Sequence, residues 1–223
     1  MDPDLDAREL SAQSLATGDA TGWFERLYAA SLDGDAVVPW DRATPSQLLV
    51  QWMQQRQVDG AGRSALVVGC GFGRDAEFVA GLGYDTAAFD ISPTAVRTAQ
   101  LRHPDSPVHY VTADLLDPPE QWLAAYDLVI ESMNVQALPD PPRHTAIHNV
   151  GRLVKPAGTL IVLAAAETEA NATEPGPPWP LARDEIESFT ESGLDVVAIE
   201  EIPDATDPTV VRWRAEFRRP TLT

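Results

Sequence analysis

Residues 65–75 read Ala65-Leu66-Val67-Val68-Gly69-Cys70-Gly71-Phe72-Gly73-Arg74-Asp75. The apolar run 65–68 is what a strand buried on both faces of a parallel sheet looks like. Glycines at 69, 71 and 73 then turn the chain, and Asp75-Ala76-Glu77-Phe78-Val79-Ala80 opens an amphipathic helix. Glycine serves this turn in two ways. It takes positive φ without strain, and its missing Cβ lets a ligand lie against the backbone. The helix start adds unpaired N–H groups facing whatever sits above it. The stretch is a nucleotide-type ligand site at a strand end.

The glycine spacing narrows the ligand. A dinucleotide fingerprint is G-x-G-x-x-G, with the third glycine where helix and strand pack closely. Here Arg74 holds that position and the third glycine comes one residue early, at Gly73. The pattern G-x-G-x-G resembles the first motif of class I S-adenosylmethionine-dependent methyltransferases.

At 223 residues the chain is expected to form one domain with a sizeable core. A formal net charge of -18 disfavours a nucleic-acid partner, because phosphate binding calls for a basic face. Cys70 is the only cysteine, so no internal disulfide and no cysteine-based metal cluster is expected. No stretch has the roughly 20 apolar residues of a membrane span. The acidic start Met1-Asp2-Pro3-Asp4 lacks the regions of a signal peptide. The expected location is cytoplasmic.

Along the chain, residues 1–18 are polar and acidic, either disordered or a loosely docked helix. Trp23-Phe24-Glu25-Arg26-Leu27-Tyr28 places aromatics at helical spacing, fitting either a packed helix or a lid over the ligand. Thr44 followed by Pro45 predicts a capped helix running to about residue 56. After the glycine turn a helix is expected over 74–80, a strand over 84–89, a helix over 94–101 and strands over 107–111 and 126–131. The phrase 153–164 leads into a fifth strand. A helix over 184–192 and strands over 196–202 and 209–217 finish the chain. The connection 203–208 is too short for a crossover, so the last two strands should pair antiparallel. The alternation predicts an α/β, doubly wound, Rossmann-like fold. The family resemblance implies a seven-stranded sheet, mostly parallel with an antiparallel last strand and helices on both faces.

Two acids stand at the next strand ends. Asp90, in Phe89-Asp90-Ile91-Ser92-Pro93, is placed to accept hydrogen bonds from both hydroxyls of a ribose. A plain capping role at the following helix competes for Asp90 and Ser92. Asp114, in Thr112-Ala113-Asp114-Leu115, is placed to accept from an adenine amino group, with the Leu115 N–H toward a ring nitrogen. Phe89, Ile91 and Leu115 would wall the ring. A loop aspartate making a turn is the competing role for Asp114.

Within that class, Trp40-Asp41 upstream of Pro45, together with Gly69-Cys70-Gly71-Phe72-Gly73-Arg74-Asp75 and Phe89-Asp90-Ile91-Ser92, resembles the thiopurine, thiol, halide and tellurite methyltransferase group. The resemblance implies S-adenosylmethionine as cofactor, S-adenosylhomocysteine as product, and Trp40 covering the cofactor. It divides the chain into a helical lid segment, 1–60, and a cofactor-binding part, 61–223, of the same domain. The chain departs from the group after the fourth strand. Glu131-Ser132-Met133-Asn134 stands where an aspartate-arginine pair is usual, which leaves the acceptor open.

Methyl transfer from a sulfonium is an in-line displacement in which the protein supplies orientation and a closed site. A soft nucleophile such as a thiolate needs little more; a phenol or amine more often needs a base. Glu131 is the one candidate base, with a cofactor contact or a helix-capping role ranked above it. The expected cofactor contacts are Trp40, Gly69, Cys70, Gly71, Gly73, Asp90, Ile91, Asp114, Leu115 and Glu131. Expected acceptor contacts are Tyr28, Trp40, Met133, Gln136 and Trp179, the last in Pro177-Pro178-Trp179 after the long loop 168–176. Satellite core packing competes for these aromatics. His144 and His148 share a helix face but lack a third ligand, so no metal is expected. The reading is a small-molecule methyltransferase, monomeric or homodimeric, with S-methylation first, O- or N-methylation of a small metabolite second, and a non-catalytic cofactor-binding protein as the alternative class.

Overall fold

The computed structural model describes residues 3–169, 171–172, 176–205 and 207–221. Its strands are β1 (Ser64–Val68), β2 (Asp85–Asp90), β3 (His109–Thr112), β4 (Tyr126–Ser132), β5 (Val154–Ala165), β6 (Asp195–Pro203) and β7 (Val211–Arg218). They form one seven-stranded sheet in the order β3-β2-β1-β4-β5-β7-β6. The first five strands pair parallel, and β7 runs antiparallel to both β5 and β6. The doubly wound fold with a reversed final strand is the one expected.

The helices are α1 (Pro3–Ala16), α2 (Gly22–Asp33), α3 (Gln47–Gln55), α4 (Arg74–Gly81), α5 (Pro93–Arg102), α6 (Pro142–Arg152) and α7 (Arg183–Glu187). Alternate residues of each central strand face opposite layers, so each strand must be apolar throughout. Ala65, Val67, Ile130 and Ile161 pack with Trp52 of α3, Val79 of α4 and Val96 of α5. Leu66, Val68, Val129 and Val162 pack on the other side with Ile147 of α6 and Ile186 of α7. A third cluster lies at the glycine turn, where Ala7 of α1 and Trp23, Leu27 and Tyr28 of α2 meet Phe72 and Ala95.

Several boundaries differ from expectation for physical reasons. Of the two alternatives for the N-terminal stretch, residues 3–16 take the helical one. Thr44 does not cap α3, which starts at Gln47 with Ser46 as its N-cap residue. The Ser46 N–H donates to Asp75 Oδ1 at 2.8 Å, so a carboxylate from α4 holds this end. The helix expected over 184–192 is α-helical only through Glu187 and tightens to a 3₁₀ turn over Ser188–Ser192. In β5, Ala157 sits at φ 60, the left-handed conformation that favours glycine. Of the long loop expected over 168–176, residues 170 and 173–175 lie outside the described residues.

Candidate active site

The glycine turn follows β1 directly. Gly69 and Gly71 take φ 55 and 52. A Cβ on Gly69 would run into the carboxamide of Asn134. That side chain ties two strand ends together, its Nδ2 donating to Val68 O at 2.8 Å and to Ser132 O at 3.0 Å. Gly71 donates its N–H to Asp90 Oδ2 at 2.9 Å. Gly73 has a different duty. It is left-handed at φ 90, and a Cβ there would collide with the phenol of Tyr110, so it serves packing and does not line the cavity.

Asp90 ends β2 and is almost wholly buried. Besides Gly71 it accepts the Ser92 N–H on Oδ1 at 2.9 Å. Burial raises its carboxyl to about 6, against the lowering by these N–H donors. Ser92 itself caps α5, its Oγ accepting from Ala95 N at 3.0 Å. The capping role therefore belongs to Ser92, while Asp90 faces the cavity with Ile91. Asp114 makes a turn, Oδ1 accepting from Leu116 N at 2.8 Å, and lines the same cavity beside Leu115. The turn weighed for it is formed, and its side chain also borders the cavity.

The N-terminal helices reach this edge through charged anchors. Glu25 of α2 accepts from Ser92 Oγ at 2.5 Å, from Thr94 Oγ1 at 2.6 Å and from Thr94 N at 3.1 Å, at the start of α5. Asp41 takes both Arg102 guanidinium nitrogens, at 2.8 and 3.0 Å, and that guanidinium lies 4.0 Å from the centre of the Phe72 ring. Between these anchors Trp40 Nε1 donates to Tyr28 OH at 2.7 Å. Tyr28 is buried, whereas Trp40 is 38% exposed at the cavity mouth. A Cβ on Gly71 would stand 3.0 Å from the Tyr28 hydroxyl, so Tyr28 and Trp40 lie over the glycine turn.

The cavity encloses about 670 Å³, within the range of small-molecule sites. It brings together Gly69, Cys70, Gly71, Asp90, Ile91, Asp114 and Leu115 with Tyr28, Trp40, Met133 and Gln136. Met133 follows β4 at φ 66, a strained conformation fixed by its N–H donating to Leu163 O at 2.8 Å. The Cys70 thiol is held protonated, its pKa pushed well up by burial and by Asp90.

Three expected contacts lie elsewhere. Gly73 packs, as above. Glu131 is fully buried behind the cavity wall, its Oε1 accepting from Asn134 N at 2.7 Å and Val135 N at 3.0 Å. It is the cap of the turn after β4, with burial raising its carboxyl to about 7. Trp179 is half-buried with the Arg143 guanidinium 5.7 Å from its ring centre, and Pro177 and Pro178 line the cavity in its place. His144 and His148 are exposed on α6, and no metal-binding cluster occurs among the described residues. Asn134, Glu25, Arg42 and Arg212 were not singled out by sequence. Only Asn134 carried a signal, in the unusual phrase after β4.

Residues 33–218 match the family model for thiopurine S-methyltransferase (TPMT). The chain belongs to this family. The match begins inside the segment 1–60 and takes in Trp40, so residues 33–60 are part of the family pattern. Among curated proteins, a ubiquinone biosynthesis O-methyltransferase of Photorhabdus laumondii is 31% identical over 122 residues, covering 54% of this chain and 49% of that protein. The chain thus spans about half the length of the curated relatives it matches. Among solved structures, one from work on the conversion of a disulfide bond into a thioacetal group during echinomycin biosynthesis has a TM-score of 0.70 at 24% identity, covering 90% of this chain and 94% of that one. The N-methyltransferase NodS of Bradyrhizobium japonicum WM9, in complex with S-adenosyl-L-homocysteine, has a TM-score of 0.67 at 23% identity, covering 88% of this chain and 99% of that one. These likenesses concern the fold.

Proposed function

We propose that this TPMT-family chain is an S-adenosylmethionine-dependent methyltransferase acting on a small molecule, with a thiol or other soft nucleophile as acceptor. The observation that carries the reading is the convergence of Gly71, Asp90 and Asp114, from three adjacent strand ends, on one cavity roofed by Tyr28 and Trp40. The donor and acceptor set suits the cofactor. Each Asp90 oxygen keeps a lone pair for a ribose hydroxyl after taking one backbone N–H. Asp114 faces the place of an adenine amino group, with Leu115 and Phe24 as apolar walls. When bound, S-adenosylmethionine supplies an electrophilic methyl group on a sulfonium.

The protein's own part is binding, orientation and exclusion of water. Residues 1–60 act as the lid, with Trp40 closing the mouth. The preference for a soft acceptor rests on Glu131, whose Oε1 is taken by the turn after β4 and which is not among the residues lining the cavity. A thiol, with an ordinary pKa of about 8.5, ionises appreciably near neutral pH without a strong base. O-methylation, the activity named for the curated relatives, is the second reading. It draws support from Asp75, an acid on the cavity whose carboxyl is raised by burial and so suited to take a hydroxyl proton. The acidic charge fits a small-molecule acceptor better than nucleic acid. We place the protein in the cytoplasm, as monomer or homodimer.

Calorimetric titration with S-adenosylmethionine and S-adenosylhomocysteine, with NAD as control, tests the cofactor. Micromolar binding of the first two and none of NAD is the expected result. Folded protein that binds neither adenosyl ligand refutes the reading. Methyl transfer to matched thiols and phenols then separates S- from O-methylation.

A further inference from the structure

The cavity has a second half that the cofactor contacts do not use. Those contacts sit at β1, β2 and β3, whereas β7 lies three strands beyond β1 in the sheet order, about 14 Å away at ordinary strand spacing. At that end the cavity is lined by Arg212, near the start of β7, and Arg42, two residues after Trp40, lines the same cavity where its charge acts on both Asp75 and Arg212.

Arg212 lacks the partner its neighbours have. Arg212, Arg214 and Glu216 alternate along one face of β7. Glu216 takes the Trp52 indole N–H at 2.9 Å and the Arg56 guanidinium, while Arg214 pairs with Glu200 at 3.0 Å. Arg212 has Ala165 and Ile202 as its cross-strand partners and makes no ion pair among the described residues. Arg42 makes none either; its carbonyl accepts from Arg74 Nε at 3.0 Å, which fixes its backbone. Desolvation and the nearness of Arg42 both depress the Arg212 pKa, with Asp204 offsetting part of the effect. Two guanidiniums thus line one cavity in a chain with 34 acidic and 16 basic residues. Gln136 is fully buried, its Oε1 accepting at 2.6 Å from the N–H of Ala165, the cross-strand partner of Arg212. Because that partner is an N–H, the amide orientation is fixed, and Nε2 is a buried donor without an acceptor among the described residues.

We propose that the methyl acceptor is an anion, a small carboxylate seated between Arg42 and Arg212 with the Gln136 amide as a neutral donor. This rests on the cofactor reading above, which assigns the β1–β3 half to S-adenosylmethionine. Arginine forks suit carboxylate oxygens in paired hydrogen bonds. Asp75 and Asp204 on the same cavity limit the net positive charge, which favours a monoanion over a phosphate.

The test uses the full chain saturated with S-adenosylhomocysteine. Three thiols, 3-mercaptopropionate, 6-mercaptohexanoate and 4-mercaptobenzoate, are titrated beside their primary amides by calorimetry. At least one carboxylate is expected to bind about tenfold tighter than its amide, as charge-assisted bonds imply. Arg212→Gln and Arg42→Gln should each erase that preference, Arg212→Lys should keep part of it, and affinity for S-adenosylhomocysteine should stay unchanged in all three. Thermal melts confirm that each variant is folded. No preference in any pair, or a preference that survives both glutamine variants, overturns the proposal. Weakened S-adenosylhomocysteine binding in the variants also overturns it, since the arginines would then hold the cofactor's own carboxylate. Failure of the unaltered chain to bind S-adenosylhomocysteine is a different result, and it removes the cofactor reading beneath.

Discussion

Asp90 gives the sharpest prediction because two large effects oppose each other in it. Its carboxyl rises from 3.8 to about 6 on burial, which corresponds to about 3 kcal/mol of stability lost to the charged form at neutral pH. The folded state binds the proton more tightly than the unfolded one, so this loss sets in as pH rises from 3.8 to about 6 and is constant above. Asp90→Asn removes that cost. It also leaves one of the Gly71 and Ser92 N–H groups without an acceptor, since an amide offers one oxygen for two donors, at about 1–3 kcal/mol. The two terms nearly cancel, so the variant should melt close to the unaltered protein. Cofactor binding has no such cancellation. If ribose hydroxyls donate to the carboxylate, the variant loses about 2 kcal/mol or more, about thirtyfold in Kd. In the unaltered protein, Kd for S-adenosylhomocysteine should weaken about tenfold from pH 7 to pH 5, as Asp90 protonates below about 6, and the variant should be flat over that range. Calorimetry at pH 5, 6, 7 and 8 reads both. An unchanged Kd in Asp90→Asn, or a flat profile in the unaltered chain, refutes the assignment.

Trp40→Ala should weaken S-adenosylhomocysteine binding by more than about tenfold while costing about 1–2 kcal/mol of stability, because the ring is 38% exposed and its one hydrogen bond is to Tyr28. A large drop in melting temperature with normal turnover per folded molecule would make it a core residue instead. Glu131→Gln should keep methyl transfer within about threefold, since the amide oxygen still caps the Asn134 and Val135 N–H groups. Its carboxyl is raised to about 7, so the unaltered protein loses stability as pH climbs from 4.5 to about 7, and the variant should lack that share of the fall. A hundredfold loss of kcat would identify Glu131 as a base. Ala157→Gly should stabilise by about 0.5–1 kcal/mol, because the left-handed φ of 60 costs alanine more than glycine's extra chain entropy does. A denaturant midpoint that moves down would contradict this.

What the sequence made legible, and what it hid, follows the range of the forces involved. The run 65–68 announces β1 because a central parallel strand must be apolar on both faces, and Gly71 and Asp90 follow from the local turn it feeds. Trp179 is absent from the cavity lining; a single aromatic in a proline-rich stretch gives no sign of which neighbour faces inward, and its ring lies beside the buried Arg143 guanidinium instead. Glu131 looked available at a strand end, yet the N–H groups three and four residues later both claim its Oε1, and Oε2 is buried without a partner among the described residues. Asn134 against Gly69, Glu25 against the start of α5, and Arg42 on the same cavity as Arg212 join residues far apart in the chain. No local pattern encodes such meetings.

The segment around Trp40 joins the two halves of the cavity mechanically. Asp41 is clamped by both nitrogens of Arg102, and the carbonyl of Arg42 is held by Arg74 at the start of α4. Trp40 on one side of the clamp touches Tyr28 over the glycine turn, and Arg42 on the other lines the cavity, its charge acting on Arg212. With both side chains on one short fixed strap, whatever seats Trp40 on the cofactor also sets the position of Arg42. Acceptor affinity should then depend on the cofactor half being filled, and by linkage the dependence is mutual. Arg102→Ala frees the strap while leaving both binding groups in place. It should weaken that mutual dependence, measured as the ratio of 4-mercaptobenzoate affinities with and without S-adenosylhomocysteine. A ratio equal to that of the unaltered protein would show that the two halves bind independently.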